Sequence, residues 1–199
     1  MSNHIEGYKE EATNAIPDAE RARAGDRAAF DRLAQEVWPA LYRLCLSFLR
    51  EPQDAQDIAQ ESLLRAWLHL PQFRGDASFS TWVLTIGANL CRNARKRPQR
   101  AVPLGDGLSS TEASPERQVM ARDDIRWLQA ALDRLRPVER SALLLVTQEG
   151  VPYDEAARIL DLPVGTVKTH VHRARKALRA SLQNVEPDGG AHRAAHPLR

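Results

Sequence analysis

The sequence predicts an all-α protein: two small helical domains joined by a flexible linker, the C-terminal one a helix-turn-helix. Three observations carry this expectation. Almost no segment alternates apolar and polar residues with period two, as a half-buried strand would. Apolar residues recur instead at helical spacing, as in Ile125, Leu128, Leu132 and Leu135 along one face. One stretch, PQRAVPLGDGLSSTEASPER, is rich in Pro, Gly, Ser and Thr and has no apolar period, so it reads as a tether. A chain of 199 residues is long enough for two small domains on either side of it.

Residues 18–36 read as a helix with Ala22, Ala29, Phe30 and Leu33 inward, and 38–50 as a second, strongly apolar helix. Pro52 opens the next, with Ile58, Leu64, Trp67 and Leu68 as its inner face, and Pro71 ends it. QFRGDASFS is a loop turned by Gly75 and Asp76. Ser78 or Ser80 caps the helix TWVLTIGANLCRNARKR, which stops before Pro98. Helices resume at about 119. Pro137 restarts the chain into VERSALLLVTQEG, Gly150 punctuates it, PYDEAARIL is a short helix, and Pro163 begins the last one. The expected division is an extension 1–17, a first domain 18–98, a linker 99–118, a second domain 119–182 and a disordered tail 183–199.

Net charge is only +2, but it is unevenly spread. Residues 89–101 hold Arg92, Arg95, Lys96, Arg97 and Arg100 with no acid; 163–180 hold Lys168, Arg173, Arg175, Lys176 and Arg179, again with none. Residues 51–61 carry Glu51, Asp54, Asp57 and Glu61 and no base. Two basic patches and one acidic patch point to polyanion contacts plus a separate protein contact. The longest apolar runs, such as ALLLV at 142–146, are too short to span a bilayer. MSNHIEGYKEE lacks an apolar signal core, so no secretion and a cytoplasmic location are expected. Cys45 and Cys91 make no CxxC pair and are expected as buried, reduced thiols. His192 and His196 fall in the tail, where disorder is a simpler reading than metal binding.

The final helix carries the most information. At about 100° per residue, Val164, Val167, Val171, Ala174 and Leu178 fall on one side, and Thr166, Thr169, His172, Arg173 and Lys176 on the other. Lys168, Arg175 and Arg179 flank that polar stripe, and His170 lies on the opposite edge. The apolar stripe is expected to dock the helix on its partner at 152–161. With YDEAARILDLP just upstream, this is helix-turn-helix spacing, in which the second helix enters the major groove and its outward residues reach base edges. His170 and His172 point roughly 200° apart, which argues against a shared metal.

YDEAARILDLPVGTVKTHVHRARKALR resembles the promoter −35 reading domain of extracytoplasmic-function (ECF) sigma factors, of the sigma-70 family. DAQDIAQESLLRAW resembles that family's polymerase-binding helix, and FRGDASFSTWVLTIGANLCRNARKR its −10 region. The resemblance implies a protein that binds core RNA polymerase, directs it to promoters and promotes melting at the −10 element. It assigns Asp54, Asp57, Gln60, Glu61 and Arg65 to the polymerase; Phe73, Ser80, Trp82, Asn89, Arg92, Arg95, Lys96 and Arg97 to the −10 element; and Thr166, Lys168, Thr169, His172, Arg173, Arg175 and Lys176 to the −35 element. Phe73, Phe79 and Trp82 serve equally well as core or as stacking platforms for unpaired bases. Many members carry Arg where this chain has His170, which is expected to weaken a phosphate contact or alter sequence preference. Control by an anti-sigma factor is a further implication of the family.

Two other readings stand beside this one. A stand-alone helix-turn-helix regulator would use only 119–182, with 18–98 for dimerisation or ligand binding, and the second basic patch argues against it. An enzyme would rest on Asp54, Asp57 and Glu61, which share a helix face and can in principle hold Mg²⁺. The sequence has no P-loop, GxGxxG or triad-like cluster, and no cofactor is expected.

Overall fold

The computed structural model describes residues 18–96 and 129–183. The extension 1–17, Arg97, the linker and the tail from 184 lie outside the described residues, as do Ile125 and Leu128. The elements are α1 (18–23), α2 (Arg27–Leu49), α3 (Pro52–His69), a 3-10 turn (Leu70–Gln72), α4 (Phe79–Lys96), α5 (129–133), α6 (Pro137–Thr147), α7 (Tyr153–Leu160) and α8 (Val164–Gln183). No strand occurs among the described residues.

The first helical boundary differs from the sequence expectation. The chain breaks at Gly25, whose φ of +97° suits glycine. Asp26 then caps α2, its carboxylate accepting from the Ala29 N–H at 3.1 Å while Arg21 binds it at 2.7 Å. From there α2 runs without interruption through Pro39. Proline forfeits the bond its N–H would make to the Gln35 carbonyl. The buried stripe Leu33, Val37, Leu41 and Leu44 continues at helical spacing on both sides of it, and that packing holds the axis together.

The second correction concerns α3. Its buried residues are Ala55, Ala59, Ser62 and Ala66, with Ile58, Leu63 and Trp67 partly buried. Leu64 and Leu68, expected inside, are 53% and 64% exposed. Size misled the reading: the small residues face inward because α2, α3 and α4 pack closely. Ser62 satisfies its hydroxyl on the Ile58 carbonyl at 2.6 Å. A Cβ at Gly87 of α4 would stand 2.6 Å from Leu41 Cδ1 and 3.4 Å from Ser62 Oγ, so any larger residue there would have to displace the buried Leu41 side chain. Cys45 and Cys91 are both buried free thiols in the same core; a hydrogen bond between them, with burial, pushes the Cys45 thiol up.

Ser78 begins α4, accepting from the Thr81 N–H at 3.0 Å. An aromatic cluster of Phe30, Trp67, Phe73, Phe79 and Trp82 closes the α2–α3–α4 core, with ring centroids 5.0–6.1 Å apart.

In the second unit Pro137 occupies the first turn of α6, and Glu139 folds back to accept from the Arg136 N–H at 3.2 Å. Gly150, at φ +66°, separates α6 from α7. Asp161 takes the left-handed conformation (φ 53°, ψ 52°), and the Leu162 N–H closes on the Ala157 carbonyl at 3.0 Å, so the chain reverses in three residues into α8. The Pro163 carbonyl accepts from Thr166 and Val167 at the start of that helix. Val167, Val171 and Ala174 are wholly or almost wholly buried, and each valine contributes roughly 1.5–2 kcal/mol of burial. They dock α8 chiefly on α6 and to a lesser extent on α7, where the sequence reading had α7 alone. Val164, at the start of the same stripe, is 38% exposed.

The two units pack on each other, α6 on α2 and α7 on α4, and their cores merge into one apolar cluster. Arg43 and Ser47 of α2, with Arg50 just past its end, face the second unit. Arg43 makes a bidentate pair with Glu149 at 2.7 and 2.8 Å, and Ser47 Oγ lies 2.6 Å from Ser141 Oγ. Arg50 reaches the side chain and backbone carbonyl of Asp133. From α4, Thr81 donates to Glu155 and Arg92 to the Leu160 carbonyl.

Candidate nucleic-acid and polymerase interface

The sequence-assigned polymerase residues gather on the solvent side of α3. Asp54, Asp57, Gln60 and Arg65 are exposed and Glu61 is half-buried. Glu61 and Arg65 pair at 2.8 Å, and Gln53 donates to Asp57 at 3.0 Å. At about 100° per residue, Leu64 and Leu68 fall in the middle of this face, between Gln60 on one side and Arg65 on the other. Two exposed leucines inside a charged rim have the anatomy of a protein-binding surface. The sequence reading missed them because it counted them toward the core. The spacing was the available signal: Leu64 and Leu68 share their side of the helix with Asp57 and Glu61.

The residues assigned to the −10 element divide. Asn89, Arg95 and Lys96 are exposed, Ser80 and Trp82 half-buried, and Arg97 is outside the described residues. Phe73 is only 8% exposed and lies tilted against Trp82, ring centroids 5.0 Å apart. Of the two readings the sequence leaves open for Phe73, core or stacking platform, its burial favours the core. Arg92 is half-buried and engaged with the carbonyls of Leu160 and Asn89.

The −35 set is the most coherent. Lys168, Thr169, His172, Arg173, Arg175 and Lys176 are all exposed along α8, and Thr166 is half-buried. Thr169 donates its hydroxyl proton to the Gly165 carbonyl at 2.9 Å, which leaves the oxygen lone pairs outward as acceptors. An open groove of about 650 Å³ runs between α7 and this face, lined by Tyr153, Lys168, His172, Arg175, Lys176 and Arg179. The Lys168 ammonium sits 5.9 Å over the Tyr153 ring. Tyr153 was not foreseen; nothing in the local sequence says that the first residue of the short helix faces the basic side of the next. A groove with five basic or imidazole side chains fits a sugar–phosphate backbone.

His170 is not at the DNA edge where the sequence placed it. It is 9% exposed, with Nδ1 3.8 Å from Glu139 Oε1. Burial lowers its pKa, opposed by the Glu139 carboxylate. A hydrogen bond from Arg136 holds the Glu139 carboxyl low in turn. His170 thus packs between α6 and α8, its Nδ1 buried without a hydrogen-bond partner, rather than lying at the expected DNA edge. Arg140 is also buried, at 9% exposure. It gives Nη1 to Asp133 at 3.3 Å, while Nε and Nη2 have no partner. Burial, with Arg50 and Arg95 nearby, pulls this guanidinium down to about 10 against the opposing pull of Asp133. Among the described residues no three His, Cys, Asp or Glu side chains gather into a metal site, and no helix is long and apolar enough to cross a membrane.

An acid-rimmed protein-binding helix, a basic helix beside an aromatic cluster, and a helix-turn-helix in one chain define an initiation subunit of bacterial RNA polymerase, a sigma factor. The family models agree: "Sigma-70 region 2" matches residues 33–101 and "Sigma-70, region 4" residues 125–178, together more than half the chain. The chain is 35% identical over 177 residues to the RNA polymerase sigma-H factor of Pseudomonas aeruginosa, covering 82% of this chain and 91% of that one. It is 34% identical over 144 residues to the ECF RNA polymerase sigma factor EcfG of Rhodopseudomonas palustris, covering 72% and 80%. Among solved structures it is similar to the sigma factor RpoE of Bartonella quintana in complex with the anti-sigma factor NepR, with a TM-score of 0.61, 25% identity and coverage of 77% and 96%. The chain belongs to the sigma-70 family, in its ECF group. It is a transcription initiation factor that directs RNA polymerase to promoters, and the stand-alone regulator reading falls away.

Proposed function

We propose that residues 18–98 form the polymerase- and −10-binding domain and 119–182 the −35-binding domain, joined by the linker 99–118. The polymerase is gripped by α3 through Asp54, Asp57, Gln60, Glu61 and Arg65 around the apolar pair Leu64 and Leu68. The charged rim sets register, and the leucines supply desolvation energy. In α8, Thr169, His172 and Arg173 read base edges in the major groove. Lys168, Arg175 and Lys176 hold phosphates, with Thr166 at the entry and Tyr153 in the groove beside them. Asn89, Arg92, Arg95, Lys96 and Arg97 hold the −10 strand, with Ser80 and Trp82 at the start of the same helix.

The single observation that carries this reading is the unbroken exposed basic face of α8 on a helix-turn-helix whose apolar stripe is buried. The protein works by binding and positioning, with no chemistry of its own, and acts in the cytoplasm beside the polymerase. Control by an anti-sigma factor is part of the proposal, supported by the relative solved with one. The test is in vitro transcription with core polymerase on genomic fragments. Promoter-specific start sites are expected, and their absence across a salt series, with folded protein, would sink the reading.

A further inference from the structure

The two cysteines of the chain meet in the interior of the first unit. Cys45 comes from α2 and Cys91 from α4, and both are fully buried. Their side chains are in hydrogen-bond contact. The two helices cross closely here: a Cβ at Gly87, one turn before Cys91 on the same face of α4, would stand 3.8 Å from Cys45 Sγ. Neither thiol has a part in holding polymerase or DNA. The seam around them has no spare room, since Leu41, Ser62 and Cys45 all press on the Gly87 position. An oxygen added to either sulfur, or a glutathione joined to it, has to be forced into that seam as overpacking. A disulfide adds no atom. It removes two hydrogens and draws the sulfurs together to about 2.0 Å.

We propose that Cys45 and Cys91 are a modification site: a dithiol that hydrogen peroxide closes to a single internal disulfide, tying α4 to α2. In the first step the thiolate of one cysteine attacks a peroxide oxygen. The O–O bond breaks, a sulfenic acid forms, and the departing hydroxide takes the proton that thiol has shed and leaves as water. In the second step the other thiol attacks the sulfenic sulfur. The S–S bond forms, the S–O bond breaks, and the hydroxyl leaves with the second thiol's proton as water. Two thiols thus lose two electrons and two protons, and one peroxide becomes two waters. A dithiol reductant reverses the change by exchange. Burial, which also pushes the Cys45 thiol up, makes the first step slow, because oxidant reaches the sulfurs only through local opening. The second step is fast, because the resolving thiol is already in contact. The bond closes a loop of roughly 45 residues, and it anchors the part of α4 that carries Asn89, Arg92 and Arg95.

The experiment treats the full native chain, folded, with hydrogen peroxide overnight. Thiol titration is expected to fall from two free thiols per chain to none. Met1 and Met120 also take up oxygen, so the linkage is read from peptides joined through Cys45 and Cys91 and not from intact mass. The linked chain is expected to melt several degrees higher, because the closed loop also restrains the unfolded state. Dithiothreitol should restore both thiols and the native melting temperature. Glutathione disulfide in place of peroxide should leave no adduct on the folded chain. Cys91→Ala, which lacks the resolving thiol, should show no rise in melting temperature under peroxide. Free thiols after the overnight exposure overturn the proposal, as do sulfinic or sulfonic acid at either cysteine and dimers linked through them. A linked chain that melts no higher than the reduced one, or a peroxide-induced rise in Cys91→Ala, overturns the tie between α2 and α4.

Discussion

Replacing Leu64 and Leu68 together with alanine tests the polymerase surface where it departs most from the sequence reading. Both side chains are more than half exposed, at 53% and 64%, so truncation removes little from the folded chain, and alanine keeps the helix propensity. Stability is expected to change by about 0.5 kcal/mol or less per site. In the complex the exposed halves are buried. Full burial of a leucine is worth roughly 1.5–3 kcal/mol, so half of it gives about 1 kcal/mol per residue and about 2 kcal/mol for the pair. That corresponds to roughly thirtyfold weaker binding. The assay is a titration of labelled protein with core polymerase, with thermal melting and −35 duplex binding as controls. Polymerase affinity within twofold of the native chain would refute the argument. So would a marked fall in melting temperature, which would show that the leucines are core after all.

Three further outcomes are expected. Arg173→Ala, at an exposed position on α8, should weaken −35 duplex binding by about 1–3 kcal/mol and relax preference at one base position while leaving the melting temperature unchanged; equal loss on all sequences would make Arg173 a phosphate contact. Gly87→Val puts methyl groups where a Cβ already meets Leu41 at 2.6 Å and should destabilise the first unit by ~1–3 kcal/mol in urea unfolding, so a neutral result would mean the α2–α4 crossing is looser than described. His170 is buried with its folded pKa lowered, so the unfolded chain takes up more protons as pH falls through about 6.5. Stability should therefore decline between pH 7.5 and 5.5, ahead of the loss of the Glu139 contribution at lower pH, and His170→Gln should flatten that slope; an unchanged slope would remove His170 as its source.

Much of the architecture was legible because local signals and tertiary packing agree. Pro52, Ser78, Pro137, Gly150 and Pro163 stand at or beside the element boundaries they announce, and Val167, Val171 and Ala174 are the docking stripe that their spacing predicts. The errors arose where a local rule was outvoted. Pro39 marks a break by propensity, yet the stripe from Leu33 to Leu44 carries α2 through it. Leu64 and Leu68 were read inward by hydrophobicity, although a face of alanines and Ser62 fits the close approach of α2 and α4. His170 and Arg140 are polar by type and buried by position, which only the packing of α6 and α8 and the contact between units decide. The exposed basic face of α8 was readable from one helix alone. The ties on Arg92 and Thr81 come from residues more than sixty positions away.

The small-residue inner face of α3 has a mechanical meaning. Ala55, Ala59, Ser62 and Ala66 have almost no rotamers to change, and Gly87 lets the neighbouring backbone come close. Long side chains at such a seam would act as springs, absorbing displacement by switching conformers. Here α3, proposed to face the polymerase, and α4, proposed to face the −10 strand, are joined with little slack. On that proposal, a push on one helix would pass to the other as rigid-body motion, with little lost between.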